Sequence, residues 1–125
     1  MNPTDAPGPQ SVTVRTRPDA TVITLIGVMD LDHVDAFRAV SSVACTDVNA
    51  PARVVIDLAG LTFCDSTGLN ALLQARLMCT ESGRALTLAG PGPQISRLLS
   101  ITGADTVFDI TEPVGEGPDR SVTAF

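Results

Sequence analysis

The alternation of apolar and polar residues changes its period several times along the chain, and each change predicts a different element. Residues 11–17 alternate, and residues 21–28 (TVITLIGV) form a second apolar run after a short turn, so the two segments predict a β-hairpin. From 29 to 44 the apolar residues recur every three or four positions, which predicts a helix with one buried face. Asp32 is the predicted N-cap of that helix.

The longest continuous pattern runs from 53 to 81, and it has the most bearing on function. Its apolar residues at 54–58 predict a strand that ends in a turn, and Asp65–Gly68 then leads into a long helical repeat. The predicted buried face of that helix consists of Leu69, Leu72, Leu73 and Leu77. Ser66 lies where the turn enters the helix, so its hydroxyl is predicted at or next to the N-cap. There it is close to unpaired backbone N–H groups and to the positive end of the helix dipole.

The remaining segments continue an alternation of strands and helices. A strand is predicted over 84–89, a helix that begins near Pro93 and ends at Gly103, and a last strand over 107–110. The order β-β-α-β-α-β-α-β predicts an α/β fold with a mixed, largely parallel sheet and helices packed against it.

The predicted domain covers residues 11–111. Residues 1–10 are rich in proline and glycine and are predicted to be disordered, and residues 112–125 are predicted to form a flexible tail.

Composition narrows the classes of partner. The chain has 125 residues, a net charge of -6 and only 8 Lys+Arg, so it lacks the concentrated positive charge that nucleic acids and anionic membranes require. No apolar run approaches the roughly 20 residues of a membrane span, and the N-terminus does not resemble a signal peptide. We therefore expect a soluble cytoplasmic protein.

The cysteines Cys45, Cys64 and Cys79 are odd in number and have no CxxC spacing, so we expect neither a zinc site nor any other metal site. Their apolar neighbours predict small buried or half-buried thiols in a reducing compartment. A redox switch through Cys64 or Cys79 is an alternative, although the neighbouring charge of Asp65 opposes formation of a Cys64 thiolate.

Two enzymatic interpretations are weak. Ser66 and His33 could form the nucleophile and base of a hydrolase, but the serine lies in C-D-S-T-G and not in G-x-S-x-G. Asp30-Leu31-Asp32 follows an apolar strand, as in phosphatases that use a nucleophilic aspartate and Mg²⁺, but the chain contains no lysine to hold a phosphate.

A fourth interpretation makes Ser66 an acceptor of phosphate, and on chemistry alone a plain N-cap serine is the stronger explanation. Across residues 11–111, however, the chain resembles STAS domains, and specifically bacterial anti-sigma factor antagonists. Gly27-Val28-Met29-Asp30 stands where the family has G-E-[LIV]-D, and Val55–Leu58 with Leu61–Leu69 matches V-x-D-L-(x)n-F-x-D-S-[ST]-G-L. Gly90-Pro91 and Leu98–Gly103 match the closing helix.

The resemblance implies a regulatory module without cofactors, and not an enzyme. In that family the serine of D-S-[ST]-G, Ser66 here, is phosphorylated by a partner that is both a serine kinase of ATPase fold and an anti-sigma factor. The unphosphorylated form binds this partner and releases a sigma factor, and a PP2C-type phosphatase restores the serine. The resemblance thus implies a bacterial phosphoprotein that regulates transcription by partner switching, as a monomer or weak dimer.

The expected partner-binding surface combines the neighbours of Ser66 with exposed positions on the same helix. It comprises Asp30, Asp65, Ser66, Thr67, Gly68, Asn70 and Gln74. The chain departs from the family in two places: Val28 stands where an acidic residue is usual, and a C-terminal helix is hard to see in residues 112–125. The alternative is a STAS interaction subunit of another assembly, a stress-signalling complex or a lipid-transport system, in which Ser66 is only a helix cap.

Overall fold

The structure, a computed structural model, describes residues 11–114. Its strands are β1 (Ser11–Thr16), β2 (Ala20–Met29), β3 (Arg53–Cys64), β4 (Ala85–Ala89) and β5 (Asp109–Thr111). Its α-helices are α1 (Val34–Thr46), α2 (Ser66–Glu81) and α3 (Pro93–Thr102), and a 3₁₀ turn (Ala104–Thr106) precedes β5. The predictions made for residues 1–10 and 115–125 lie outside the described residues.

The sheet confirms the predicted fold class. Its strands lie in the order β1-β2-β3-β4-β5, with β1 antiparallel to β2 and all other neighbours parallel. Ile23, Ile56 and Leu88 are register partners on the three central strands, and all three are fully buried. Within the described residues, no helix is long and apolar enough to cross a membrane.

The third strand is longer than the sequence pattern predicts. A turn was expected after Leu58, but β3 continues without a break to Cys64. The cause is pairing with β2: the register shifts twice, between Thr24 and Ile26 and again between Gly27 and Val28. Such irregularities let a strand bend while it stays paired, so polar residues do not end it.

The start of α1 also differs from the prediction. Asp32 was expected to cap this helix, but the N-cap position is His33, and it makes no side-chain capping bond. The Asp30 carboxylate accepts a hydrogen bond from the Asp32 N–H at 3.1 Å instead. A carboxylate that bonds the backbone two residues ahead stabilises a turn, and this turn moves the helix start beyond Asp32.

The buried face of α2 was only partly predicted. Leu69 and Leu72 are buried and Leu73 is partly buried, but Leu77 is 54% exposed. The residues along the buried stripe are Gly68, Ala71, Leu72, Ala75 and Cys79. Because α2 packs closely against α1, small residues fill this contact and rotate the leucine at position 77 towards solvent.

The cysteines correct another expectation. Cys45 of α1 and Cys79 of α2 form a disulfide with a Cα–Cα distance of 4.7 Å, so they are not thiols as predicted, while Cys64 is free and buried. At the same end of the molecule Arg84 donates to the carbonyl oxygen of Ala44 at 3.3 Å and to that of Asp47. These contacts anchor the C-terminal end of α1.

Candidate functional site

The two long parallel strands bring the predicted site residues to one edge of the sheet. Met29 and Cys64 are register partners at the ends of β2 and β3, so Asp30 and Asp65 follow at the same edge. The Asp65 N–H donates to the Met29 carbonyl oxygen at 3.3 Å, which joins the two strand ends directly. Parallel strands place their carboxyl ends together in this way, and such edges commonly carry functional sites.

Asp65, and not Ser66, caps α2. Its carboxylate accepts a hydrogen bond from the Gly68 N–H at 3.1 Å, and its carbonyl oxygen accepts one from Leu69 N–H at 2.9 Å. Ser66 is the first residue of the helix and is exposed, next to the cap as the sequence predicts. The hydroxyl is therefore not needed to hold the helix end.

Gly68 lies in a close contact that a side chain would prevent. A Cβ at this position would stand 2.4 Å from the Met29 carbonyl oxygen, 2.5 Å from the Met29 Cγ and 2.8 Å from the Cys64 Sγ. Carbon and oxygen atoms repel strongly at such distances. The glycine lets the first turn of α2 rest on the end of β2, and it is buried, unlike most of the predicted surface.

The contacts among Met29, Cys64, Asp65 and Gly68 form a joint between the strand ends and the start of α2. Gln94 holds the other side of this joint, and sequence reasoning missed this residue. Its Oε1 accepts from the Cys64 N–H at 3.0 Å, and its Nε2 donates to the Cys64 carbonyl oxygen at 3.1 Å. β4 pairs with β3 only as far as Asp57, so the side chain replaces a missing strand at Cys64. The periodic pattern carries no signal for this contact, because residues 64 and 94 are brought together only by the fold.

The β2–α1 turn carries a close contact between a histidine and an aspartate. His33 Nδ1 lies 2.6 Å from Asp30 Oδ1, and both side chains are partly exposed. The hydrogen bond from His33 is the main cause that holds the pKa of Asp30 below its ordinary value. His33 thus contacts Asp30, and the described residues contain no group of three or more His, Cys, Asp or Glu side chains that could hold a metal ion.

Cys64 is a poor redox nucleophile. Burial, with a further contribution from the charge of Asp65, raises the pKa of its thiol to about 12. The thiolate is the reactive form of cysteine, and a thiol with this pKa is almost fully protonated at neutral pH.

The other predicted surface residues lie on the first turns of α2. Asn70 and Gln74 are exposed and Thr67 is partly buried. Two exposed apolar side chains adjoin the joint: Leu31 is 70% exposed, and Phe63, which was not predicted, is 43% exposed. Phe63 is the exposed one of the three phenylalanines in the described residues, and an exposed aromatic side chain is frequent in protein contact surfaces.

Comparison with known proteins assigns the family. Residues 12–112 match the model of the STAS_2 family, described as "Mlab, STAS domain", and the chain belongs to this family. A STAS-domain containing protein of Pseudomonas aeruginosa (strain UCBPP-PA14) is 32% identical over 79 residues, which cover 63% of this chain and 74% of the relative. The resemblance to STAS domains is therefore confirmed.

Solved structures show the same fold. An anti-sigma factor antagonist from Mycobacterium paratuberculosis has a TM-score of 0.73 at 23% identity, covering 95% of this chain and 96% of its own. The unphosphorylated anti-sigma factor antagonist SpoIIAA has a TM-score of 0.72 at 20% identity, covering 92% of this chain and 98% of its own. At these identities the likeness establishes the fold and leaves function to the site.

Proposed function

We propose that this protein is an anti-sigma factor antagonist controlled by phosphorylation of Ser66. The observation that carries the proposal is the position of Ser66: it is exposed at the first residue of α2, and Asp65 supplies the cap. Within residues 11–114 no hydrogen bond ties the Ser66 hydroxyl to another group. The hydroxyl is therefore accessible to a kinase without any rearrangement of the helix end.

The helix end would tolerate the modification. A phosphoserine carries about -1.5 to -2 charges at neutral pH. The positive end of the helix dipole stabilises a negative group there by about 0.5–2 kcal/mol. We therefore expect the fold to remain unchanged on phosphorylation.

A bound partner would not tolerate a phosphate on Ser66. A protein that covers Ser66 must desolvate the phosphate beside the carboxylate of Asp65, which costs several kcal/mol when no cation compensates. Each loss of about 1.4 kcal/mol of binding free energy lowers the affinity tenfold, so a single phosphate is sufficient to dissociate the complex. The switch acts through local charge repulsion.

The proposed partner is a serine kinase of ATPase fold that is also an anti-sigma factor. Its contact surface on this chain comprises Asp30, Asp65, Ser66, Thr67, Gly68, Asn70 and Gln74, with Gly68 contributing through the shape that it allows. Leu31 and Phe63 extend this surface as apolar contacts. The protein would act in the bacterial cytoplasm by binding and not as an enzyme, with a PP2C-type phosphatase restoring Ser66.

The test is phosphorylation by purified kinases. Each ATPase-fold serine kinase from the source genome is incubated with ATP and the wild-type protein, Ser66→Ala or Thr67→Ala, and intact masses are measured. We expect one added phosphate on wild type and on Thr67→Ala, and none on Ser66→Ala. Wild-type protein that stays unmodified by every kinase that binds it would refute the proposal.

A second candidate function follows from the matched family model. That model is described as "Mlab, STAS domain", which identifies the domain and leaves its partner open. The alternative is therefore an interaction subunit of another assembly such as a stress-signalling complex or a lipid-transport system. In that case Ser66→Glu would leave partner binding unchanged, whereas the leading proposal expects Ser66→Glu to weaken it strongly.

A further inference from the structure

A pocket next to the proposed contact surface has no role in the phosphorylation switch. It has a volume of about 340 Å³ and opens between β1, the end of β2 and the first turn of α1. Its walls are mainly apolar, with side chains from three strands: Val12, Ile26, Val28 and Leu61. A pocket of this size, apolar with a few polar groups at its rim, is the usual form of a binding site.

The rim of the pocket is acidic. Asp32 and Asp35 line it and are both exposed, and none of its described lining residues is an arginine or a lysine. His33 also lines the rim, and its ring contacts the carboxylate of Asp30. The pocket thus offers apolar walls and negative charge at the mouth.

We infer that this pocket receives an arginine or lysine side chain of the protein partner. The aliphatic stem of such a side chain would pack on Ile26 and Val28, which are partly exposed, and its cationic end would face Asp32 and Asp35. Long basic side chains bury their stems on apolar surface and keep their charge near water or a carboxylate.

The position of the pocket identifies the occupant as part of a protein. Met29 lines the pocket, and its carbonyl oxygen is the acceptor for Asp65 N–H, one residue before Ser66. A protein–protein contact covers about 800 Å² on each partner, which is wide enough to include both the pocket and Ser66. The inference rests on the proposed function, because it assigns this subsite to the same kinase.

The experiment measures affinity for the kinase that phosphorylates Ser66, purified and saturated with ADP, by isothermal titration calorimetry. We expect the double variant Asp32→Asn/Asp35→Asn to bind at least about tenfold more weakly, with a smaller dependence on salt. The matched control is Asp105→Asn/Asp109→Asn, which removes two exposed carboxylates from the 3₁₀ turn and β5. It should bind as wild type does.

A second pair of variants tests the pocket by filling it. Ala36 is exposed on α1 and lines the pocket, whereas Ala39 is exposed on the same helix and lies outside it. Ala36→Phe should weaken binding about tenfold or more, and Ala39→Phe should not. Circular dichroism on all four variants checks that they fold.

The outcomes separate the two proposals. If wild type binds the kinase and both pocket variants bind equally well, the pocket assignment is wrong and the proposed function stands. If wild type neither binds nor is phosphorylated, the proposed function fails and the pocket assignment fails with it. If the Asp105/Asp109 control weakens binding as much as the pocket variant, general charge attraction explains the effect and the assignment is wrong.

Discussion

The two ends of the α1–α2 helix pair are held in different ways. At the C-terminal end, a disulfide between Cys45 and Cys79 joins the helices, and Arg84 donates to backbone carbonyls at the end of α1. At the N-terminal end, where Ser66 lies, no disulfide among the described residues links α2 to another element. Gly68 packs on Met29 there, and hydrogen bonds from the backbone complete the joint.

The difference shows how the fold combines a rigid helix end with a free hydroxyl. Backbone groups, Gly68 and the side chains of Asp65 and Gln94 hold the first turn of α2, so the hydroxyl of Ser66 is not needed to hold it. A covalent link at this end would have required side chains beside the serine, where the proposed partner must approach. The chain has the covalent link five residues beyond Gln74, the last residue of the proposed contact surface, at Cys79.

The largest expected effect on the free energy of unfolding is at the end of the helix pair that the disulfide joins. Cys45→Ala/Cys79→Ala should lower the free energy of unfolding by about 4 kcal/mol, because the bond closes a loop of 34 residues and restricts the unfolded chain. Urea denaturation with and without dithiothreitol measures this. Reductant should destabilise wild type and leave the double variant unchanged, and phosphorylation of Ser66 should persist in both. Equal stability of wild type and variant without reductant would contradict the disulfide.

The next largest effect on the free energy of unfolding is expected at the N-terminal end of α2, where Ser66 lies. Gly68→Ala should cost about 3 kcal/mol, since the added methyl group would overlap the carbonyl oxygen of Met29, which cannot move away without breaking its hydrogen bond to Asp65. Gly92→Ala is the control: a Cβ there meets no atom within 4 Å, so only the small preference of an N-cap for glycine is lost. Similar unfolding midpoints for the two variants would show that α2 is not packed in this way.

Gln94→Leu tests the hydrogen bonds of the joint. It should cost about 2 kcal/mol, because the N–H and the carbonyl oxygen of Cys64 lose their partner while partly buried. Amide hydrogen exchange should accelerate at Cys64 and Asp65 and remain slow in the centre of β3. Arg97→Leu, an exposed change on the same helix, should alter stability by less than about 0.5 kcal/mol. Unchanged exchange at Cys64 in Gln94→Leu would remove Gln94 from the joint.

The smallest effect concerns the exposed turn before α1. Because the folded state lowers the pKa of Asp30 below its ordinary value of 3.8, the carboxylate stabilises the fold above about that pH, and this contribution is lost as pH falls through the lower folded pKa. Urea midpoints of wild type should therefore slightly exceed those of Asp30→Asn at pH 6, and the difference should shrink as the pH falls below 3.8. A difference that grows towards low pH would mean that the sign is wrong.

Much of the fold could be predicted from the order of patterns along the chain. Alternation and helical spacing determine which segments are strands and helices, because each pattern requires one face to be buried. The element order then predicts a mixed, largely parallel sheet, as the structure has. Ser66 was correctly placed beside the N-cap of α2. Local patterns failed where pairing continued through polar residues, as in β3 beyond Leu58, and where an aspartate stabilised a turn, as Asp30 does before α1.

The sequence by itself determined the α/β order, the family and the position of Ser66 next to the start of a helix. Only the tertiary structure decided how the joint is held and what surrounds it. Gly68 on Met29, Gln94 on Cys64 and the bond between Cys45 and Cys79 each connect residues about thirty or more positions apart. No periodic pattern encodes such contacts, because periodicity reports which face of an element is buried and not which residue it meets. The exposed serine is thus a local feature, and its fixed setting is a product of the whole fold.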